Sequence, residues 1–253
     1  MTARLERAAS LVVRAGLALT VLGALSLLLA GLGSRWDWWD FRTGFVIFRF
    51  TLYAGLLVIV VVLAGLVLAC LARTGRTILV SLVSLALLVA VASVPVGYLR
   101  GAGRVPPIHD ITTDPDDPPR FVAVLPLRRD APNSVDYAGP ALAAQQRAGY
   151  PDLGPARFAA PPAVVLSHAT EVARNLGWEI VATEPAEGRL EATARTRWFG
   201  FRDDVVVRVR PDGSGSRVDV RSVSRVGRSD LGTNARRIHR FLTALGTSLA
   251  QPR

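Results

Sequence analysis

The chain has 253 residues, half of them apolar and a fifth charged, with mean hydropathy +0.32 and formal charge +10. That balance excludes a disordered chain and an ordinary cytosolic globule. The apolar excess falls in the first hundred residues, so the chain divides into a membrane part and a water-facing part. Every basic residue is Arg, nine against three acids before residue 101 and 21 against 17 after it. Neither surplus is large enough for a nucleic-acid partner. Cys70 is the only cysteine and lies in an apolar run, which excludes an intrachain disulfide and a thiolate metal site.

Three apolar runs come first: Leu11–Leu32, Phe50–Ala72 and Ile78–Leu99. Each is about 22 residues, and a bilayer core needs about 20 at 1.5 Å per residue. Arg14 and Arg49 lie at run ends, where a long side chain reaches the headgroups. Core helices of a soluble protein would carry a polar face, and these runs carry none. The first run is also too long for the core of a cleaved signal peptide. The Trp36, Trp38, Trp39 and Phe41 cluster after it reads as an interfacial aromatic belt.

Orientation rests on the short loops. Arg4, Arg7, Arg14, Arg73 and Arg76 fall on one side, and Arg35, Arg42, Arg49, Arg100 and Arg104 on the other. The count is even, but the six-residue loop Ala72–Thr77 is dense in Arg, and short loops follow the positive-inside rule best. The N-terminus is therefore expected in the cytoplasm, and residues 101–253 outside it.

Residues 101–162 are rich in Pro, Gly and Asp, which forbids long helices and suggests an extended segment covering or tethering a domain. Phe121–Leu127 is its one short apolar piece and reads as a strand. Beyond it, Val165, Ala169, Val172 and Leu176 have helical spacing, ended by Gly177. Trp178–Thr183, Arg189–Trp198, Asp204–Arg210 and Arg217–Val223 read as strands, with Asp212-Gly213 in a hairpin loop. Leu231, Ala235, Ile238, Leu242, Leu245 and Leu249 then mark an amphipathic helix. The expected fold is α+β: three transmembrane helices, then an antiparallel sheet with two helices on one face, in the order α-β-β-β-β-α.

Several separated segments carry a family likeness: Pro107–Asp114, Tyr150-Pro151-Asp152-Leu153, Gly177-Trp178-Glu179-Ile180, Trp198–Val205 and Ser222–Ile238. Together they resemble the bacterial and plant "domain of unknown function 1499" family over about residues 106–249. The resemblance implies no assigned activity, so it supplies no catalytic residue, and it does not extend to the three spans.

Four clusters are chemically suggestive. Arg225, Arg228, Ser229, Asp230 and Asn234 sit where the last strand feeds the last helix, a place where free N–H groups and two Arg would hold a phosphate or carboxylate. The plainer reading is a helix cap and ion pairs to Asp203 or Asp204. Arg189, Arg195, Arg197, Arg208, Arg210, Arg217 and Arg221 share the outward sheet face with only Glu191 and Asp219, a surface for anionic lipid or another polyanion. Its plainer reading is a solvated face. Asp110, Asp114 and Asp116 are weak cation ligands without an EF-hand spacing, and Asp-Pro turns account for them. Trp198, Phe199 and Phe201 suit lipid insertion or packing at a sheet end. His168 and His239 are expected on helix flanks without partners. There is no nucleophile elbow and no phosphate-binding Gly loop, so no cofactor is expected.

The sequence therefore points to an integral membrane protein of the bacterial plasma membrane. Its extracytoplasmic domain would be a non-catalytic binding or assembly module for an anionic ligand, lipid or membrane protein. The alternative is an envelope enzyme with its site between Asp110–Asp117 and the Arg225–Asn234 corner.

Overall fold

In the computed structural model, residues 2–103 and 105–250 are described, and Arg104, counted above in the flanking charge, lies outside them. The described chain forms two units, residues 1–100 with 197–200, and residues 101–196 with 201–253.

The first unit contains α1 (Thr2–Arg35), α2 (Phe41–Leu71) and α3 (Gly75–Ala102). All three are long and apolar enough to cross a membrane. They outrun the apolar runs because helix continues past the hydrocarbon layer: 34 residues of α1 make about 51 Å, against a core of about 30 Å. Asp40 starts α2 by accepting the Arg42 N–H at 2.8 Å. Small residues let α1 and α2 approach. A Cβ on Gly65 would stand 2.9 Å from Val13 Cγ2, and one on Gly16 would stand 3.0 Å from Val62 Cγ2. Thr20, Ser81 and Ser84 donate their hydroxyls to carbonyls one turn back, which satisfies each of the three in an apolar setting. Trp36 and Trp38 are exposed, with ring centroids 5.0 Å apart.

The second unit is a six-stranded antiparallel sheet with helices. Its strands are β1 (Asp110–Thr112), β2 (Ala156–Phe158), β3 (Glu179–Glu184), β4 (Arg189–Arg195), β5 (Arg202–Asp212) and β6 (Gly215–Ser224). The order is β1-β6-β5-β4-β3, with β2 also on β6. The helices are α4 (Pro140–Gly149), α5 (Pro162–Asn175) and α6 (Thr233–Ala250). Alternation sends Leu190, Ala192, Ala194, Val205, Val207, Val209, Val218 and Val220 into one core with Val165, Ala169, Ile238, Phe241 and Leu245 of α5 and α6. The Trp178 ring stacks on Phe241 at 5.0 Å.

Three details depart from the sequence expectation. The Pro-rich stretch contains β1, β2 and α4, elements short enough to fit between its prolines. Phe121–Leu127 is not a strand: Leu125–Arg128 is a 3-10 turn. The N–H groups of Val122, Ala123 and Val124 go to the Glu191 carboxylate, at 3.0 Å each, instead of to a neighbouring strand. Finally β4 stops at Arg195, because Thr196 closes a turn. Its N–H bonds the Phe201 carbonyl, and its hydroxyl accepts the Phe201 N–H, both at 2.9 Å. Thr196 and Trp198 therefore do not continue the β4 apolar face.

At the other end of β4, Gly188 adopts φ 61°, and a side chain there would strike the Val209 carbonyl. That close approach sets the register of β4 on β5, where Leu190 pairs with Val207 and Arg195 with Arg202.

Candidate functional site: the polar face of the sheet

The register places Glu191, Thr193, Asp204, Arg208, Arg210, Arg217, Asp219 and Arg221 on the sheet face opposite α5 and α6. Much of that face is shielded from solvent. Residues 113–137 lie over it, with Phe121 and Val124 packed on Val206 and Val223.

Its charges are internally matched. Asp219, fully buried, accepts from Arg208 (3.0 Å), Arg210 (3.2 Å) and Arg217 (2.9 Å). Asp114 joins Arg217 and Arg208, and Asp117 joins Arg208 and Arg210. Arg221 clamps Asp110 with two parallel bonds of 2.9 and 2.7 Å, and also donates to the Pro119 and Val135 carbonyls. Asp204, also fully buried, holds Arg128, Arg225 and the Thr193 hydroxyl. Burial pushes the Asp204 carboxyl up, but hydrogen bonds from Arg225, Thr193 and Arg128 hold it below its ordinary value. Asp117 is lowered in the same way, by Arg210 and Arg208 working against desolvation. Glu191 pairs with Arg189 and with the three backbone N–H groups already named. Five of the seven arginines expected on the outward face (Arg189, Arg208, Arg210, Arg217 and Arg221) thus bind the chain's own carboxylates.

The weak metal ligands are spent similarly. Asp110 is on Arg221, Asp114 on Arg217, and Asp116 on Arg147 at 2.7 Å. Among the described residues, no group of three His, Cys, Asp or Glu side chains is arranged to hold a metal ion.

The corner between β6 and α6 is a cap. Asp230 accepts the Gly232 N–H at 2.8 Å and the Asn234 N–H at 2.7 Å, which puts a carboxylate where an external anion would sit. Burial raises the Asp230 pKa despite these two bonds. Asn234 is fully buried and bonds Ser222, Ser224 and the His109 carbonyl. Ser229 accepts the Leu231 N–H. Arg225 faces inward to Asp204, and Arg237 pairs with Asp203. Of the expected anion ligands here, only Arg228 is exposed and without an ion pair among the described residues.

Three of the exposed arginines without an acidic partner among the described residues lie at one end of the sheet. Arg195 and Arg202 are directly opposed across β4 and β5, both exposed, and neither has an acidic partner among the described residues. The Arg225 N–H bonds the Arg202 carbonyl at 3.0 Å, so the chain reaches Arg228 three residues beyond the same end. Arg197 is exposed in the turn that follows Arg195.

A family model described as "Protein of unknown function (DUF1499)" matches residues 110–245, more than half of the chain. The chain belongs to this family. The DUF1499 match opens at β1 and closes within α6, so it spans the sheet, its covering segment and the capped corner, and it leaves out the three membrane-type helices. A search of curated proteins finds no match.

In this DUF1499 chain, Trp198 and Phe199 pack within the helical unit, Phe199 on Phe45 (4.9 Å between centroids) and Trp198 on Phe48 (5.7 Å). Trp198 donates its indole N–H to the Leu28 carbonyl at 3.2 Å. His168, expected without a partner, bonds the Ser248 hydroxyl at 2.8 Å and ties α5 to α6. A groove of about 270 Å³ lined by Asp117, Arg120, Glu187, Arg189 and Arg208 is open and mostly self-neutralised. Sequence reasoning missed Arg202, Arg128 and the burial of Glu191. The alternation that marked Glu191 as outward was right. What it lacked was any sign that residues 113–137 fold back over that face.

Proposed function

We propose that this protein is an integral protein of the bacterial plasma membrane, with its N-terminus in the cytoplasm and its DUF1499 domain outside. The domain acts as a non-catalytic binding module for an anionic partner, and the partner we infer is the headgroup of anionic lipid. One observation carries the reading. The arginines on the covered sheet face are matched to carboxylates, whereas Arg195, Arg202 and Arg228 stay exposed without one and share one end of the sheet. Each basic side chain near an anionic bilayer gains about 1 kcal/mol. Unmatched like charges face each other across a strand pair only at a cost, so an external anion is the natural partner.

The enzyme alternative draws on side chains already engaged elsewhere. Asp110 is clamped by Arg221, and the corner closes on the preceding segment through Asn234 to the His109 carbonyl at 3.0 Å and Asp230 N–H to the Ile108 carbonyl at 3.1 Å.

The test is lipid analysis of the full-length protein purified in mild detergent. The wild type should carry phosphatidylglycerol or cardiolipin enriched over the source membrane, and R195Q/R202Q/R228Q should lose that enrichment. Equal lipid content in the two proteins contradicts the proposal.

A further inference from the structure

The segment that covers the polar face turns an apolar edge outward. Val122, Leu125 and Leu127 are 52, 43 and 53% exposed, while the neighbouring Phe121 and Val124 are buried. Such exposure on a loose loop would mean little, but this segment is fixed along its length. Glu191 holds the N–H groups of residues 122–124, and Arg128 is buried on Asp204. Arg225 donates to the Leu127 carbonyl at 2.8 Å, and Asn133 bonds the Ser224 and Gly227 carbonyls. A rigid backbone presenting three large apolar side chains to water implies something that covers them.

The surroundings identify the cover. Arg120 and Arg129, on either side of the apolar edge, are exposed and without acidic partners among the described residues. Arg225, which reaches Leu127, also bonds the Arg202 carbonyl, so the edge continues into the free cations of the sheet end. Between Pro118 and Val135, Asp130 is the one carboxylate. Apolar side chains ringed by arginine are the chemistry of an interfacial membrane surface, with carbon below the headgroups and guanidinium at phosphate depth. Chain length keeps a bilayer within reach. Seven residues separate the end of α3 at Ala102 from Asp110, and fully extended they span about 25 Å.

We infer that the Val122–Leu127 edge is a membrane-docking surface, its three apolar side chains seated at the headgroup–acyl boundary of the bilayer that holds the helices. This rests on the membrane reading above but not on the choice of anionic lipid.

Spin labels test it in the full-length protein. Leu125→Cys, Leu127→Cys and, as a control on the exposed side of α5, Arg174→Cys are placed in a Cys70→Ala background. The labelled proteins go into nanodiscs of phosphatidylcholine alone or with phosphatidylglycerol. Labels at 125 and 127 should collide with oxygen several-fold more than with a water-soluble nickel chelate, and the label at 174 should do the reverse. Immersion in both lipid mixtures sustains the docking surface even if the arginines show no lipid preference. Water-like collision rates at 125 and 127 overturn it. So does shielding of both positions from both reagents, the signature of a protein partner or a second copy.

Discussion

Arg195 stands directly across from Arg202 in the β4–β5 pair, with both side chains exposed and neither matched by a carboxylate among the described residues. Like charges opposed on neighbouring strands destabilise a sheet, by about 0.2–1 kcal/mol relative to neutral partners. Arg202→Gln should therefore raise the melting temperature of the purified protein slightly at low salt. The gain should fade as salt screens the pair. The same substitution should lower the retained anionic lipid. A stabilising change that weakens binding marks a residue kept for a ligand.

Glu191 makes the opposite prediction. Its carboxylate is fully buried against three backbone N–H groups and Arg189. Glu191→Ala leaves three backbone N–H groups without their acceptor and Arg189 with Glu187 alone, and it frees residues 122–124 from the sheet. Removing one side of a buried charged set costs about 3–5 kcal/mol, so chemical denaturation should show a loss of that size. Hydrogen exchange at 122–124 should rise most.

Asp204 sets part of the acid response. Its pKa is lower in the folded state than in an unfolded chain, because Arg225, Thr193 and Arg128 outweigh its burial. Its contribution to stability is therefore complete above the ordinary carboxylate range of about 4 and disappears as pH falls through the lower folded value. Asp204→Asn should be markedly less stable than wild type at pH 7, and the gap should narrow below about pH 4. Asp230 acts with the other sign. Its burial raises its pKa, so stability is lost as pH climbs through the ordinary value toward the raised one. Asp230→Asn, which keeps the capping oxygen, should show less of that loss. Unfolding curves from pH 3 to 7 check both.

In the membrane part, Gly65 and Gly55 of α2 form a matched test. A side chain at Gly65 meets Val13 of α1 at 2.9 Å, and one at Gly55 meets nothing within 4 Å. Gly65→Leu should lower the heat resistance of the detergent-purified protein by about 1–3 kcal/mol equivalent, the usual cost of overpacking. Gly55→Leu should leave it unchanged.

Much of this architecture was legible in the residues. Long apolar runs without a polar face marked the three helices, and strict alternation over Leu190, Ala192 and Ala194 placed the core side of β4. Helical spacing from Leu231 to Leu249 marked α6, which opens two residues later at Thr233. The segment over residues 113–137 was not legible, because its order comes from distant partners. Val122 to Val124 bond a carboxylate some 68 residues away, and Arg128 reaches Asp204 across 76. For the same reason the outward face looked basic. Its arginines were counted beside their strand neighbours, while Asp110, Asp114 and Asp117 arrive from another part of the chain. Arg202 went unremarked because the turn after Arg195 hides that the two strands meet there.

The side of the membrane on which the domain lies bears most directly on the whole account, and the lone cysteine makes it measurable. With Cys70→Ala and Arg174→Cys, position 174 is an exposed residue of α5 and the only thiol. Intact cells treated with a membrane-impermeant maleimide should label the full-length protein at 174 as completely as lysed cells do. Labelling that appears only after lysis would place the domain in the cytoplasm and contradict the account.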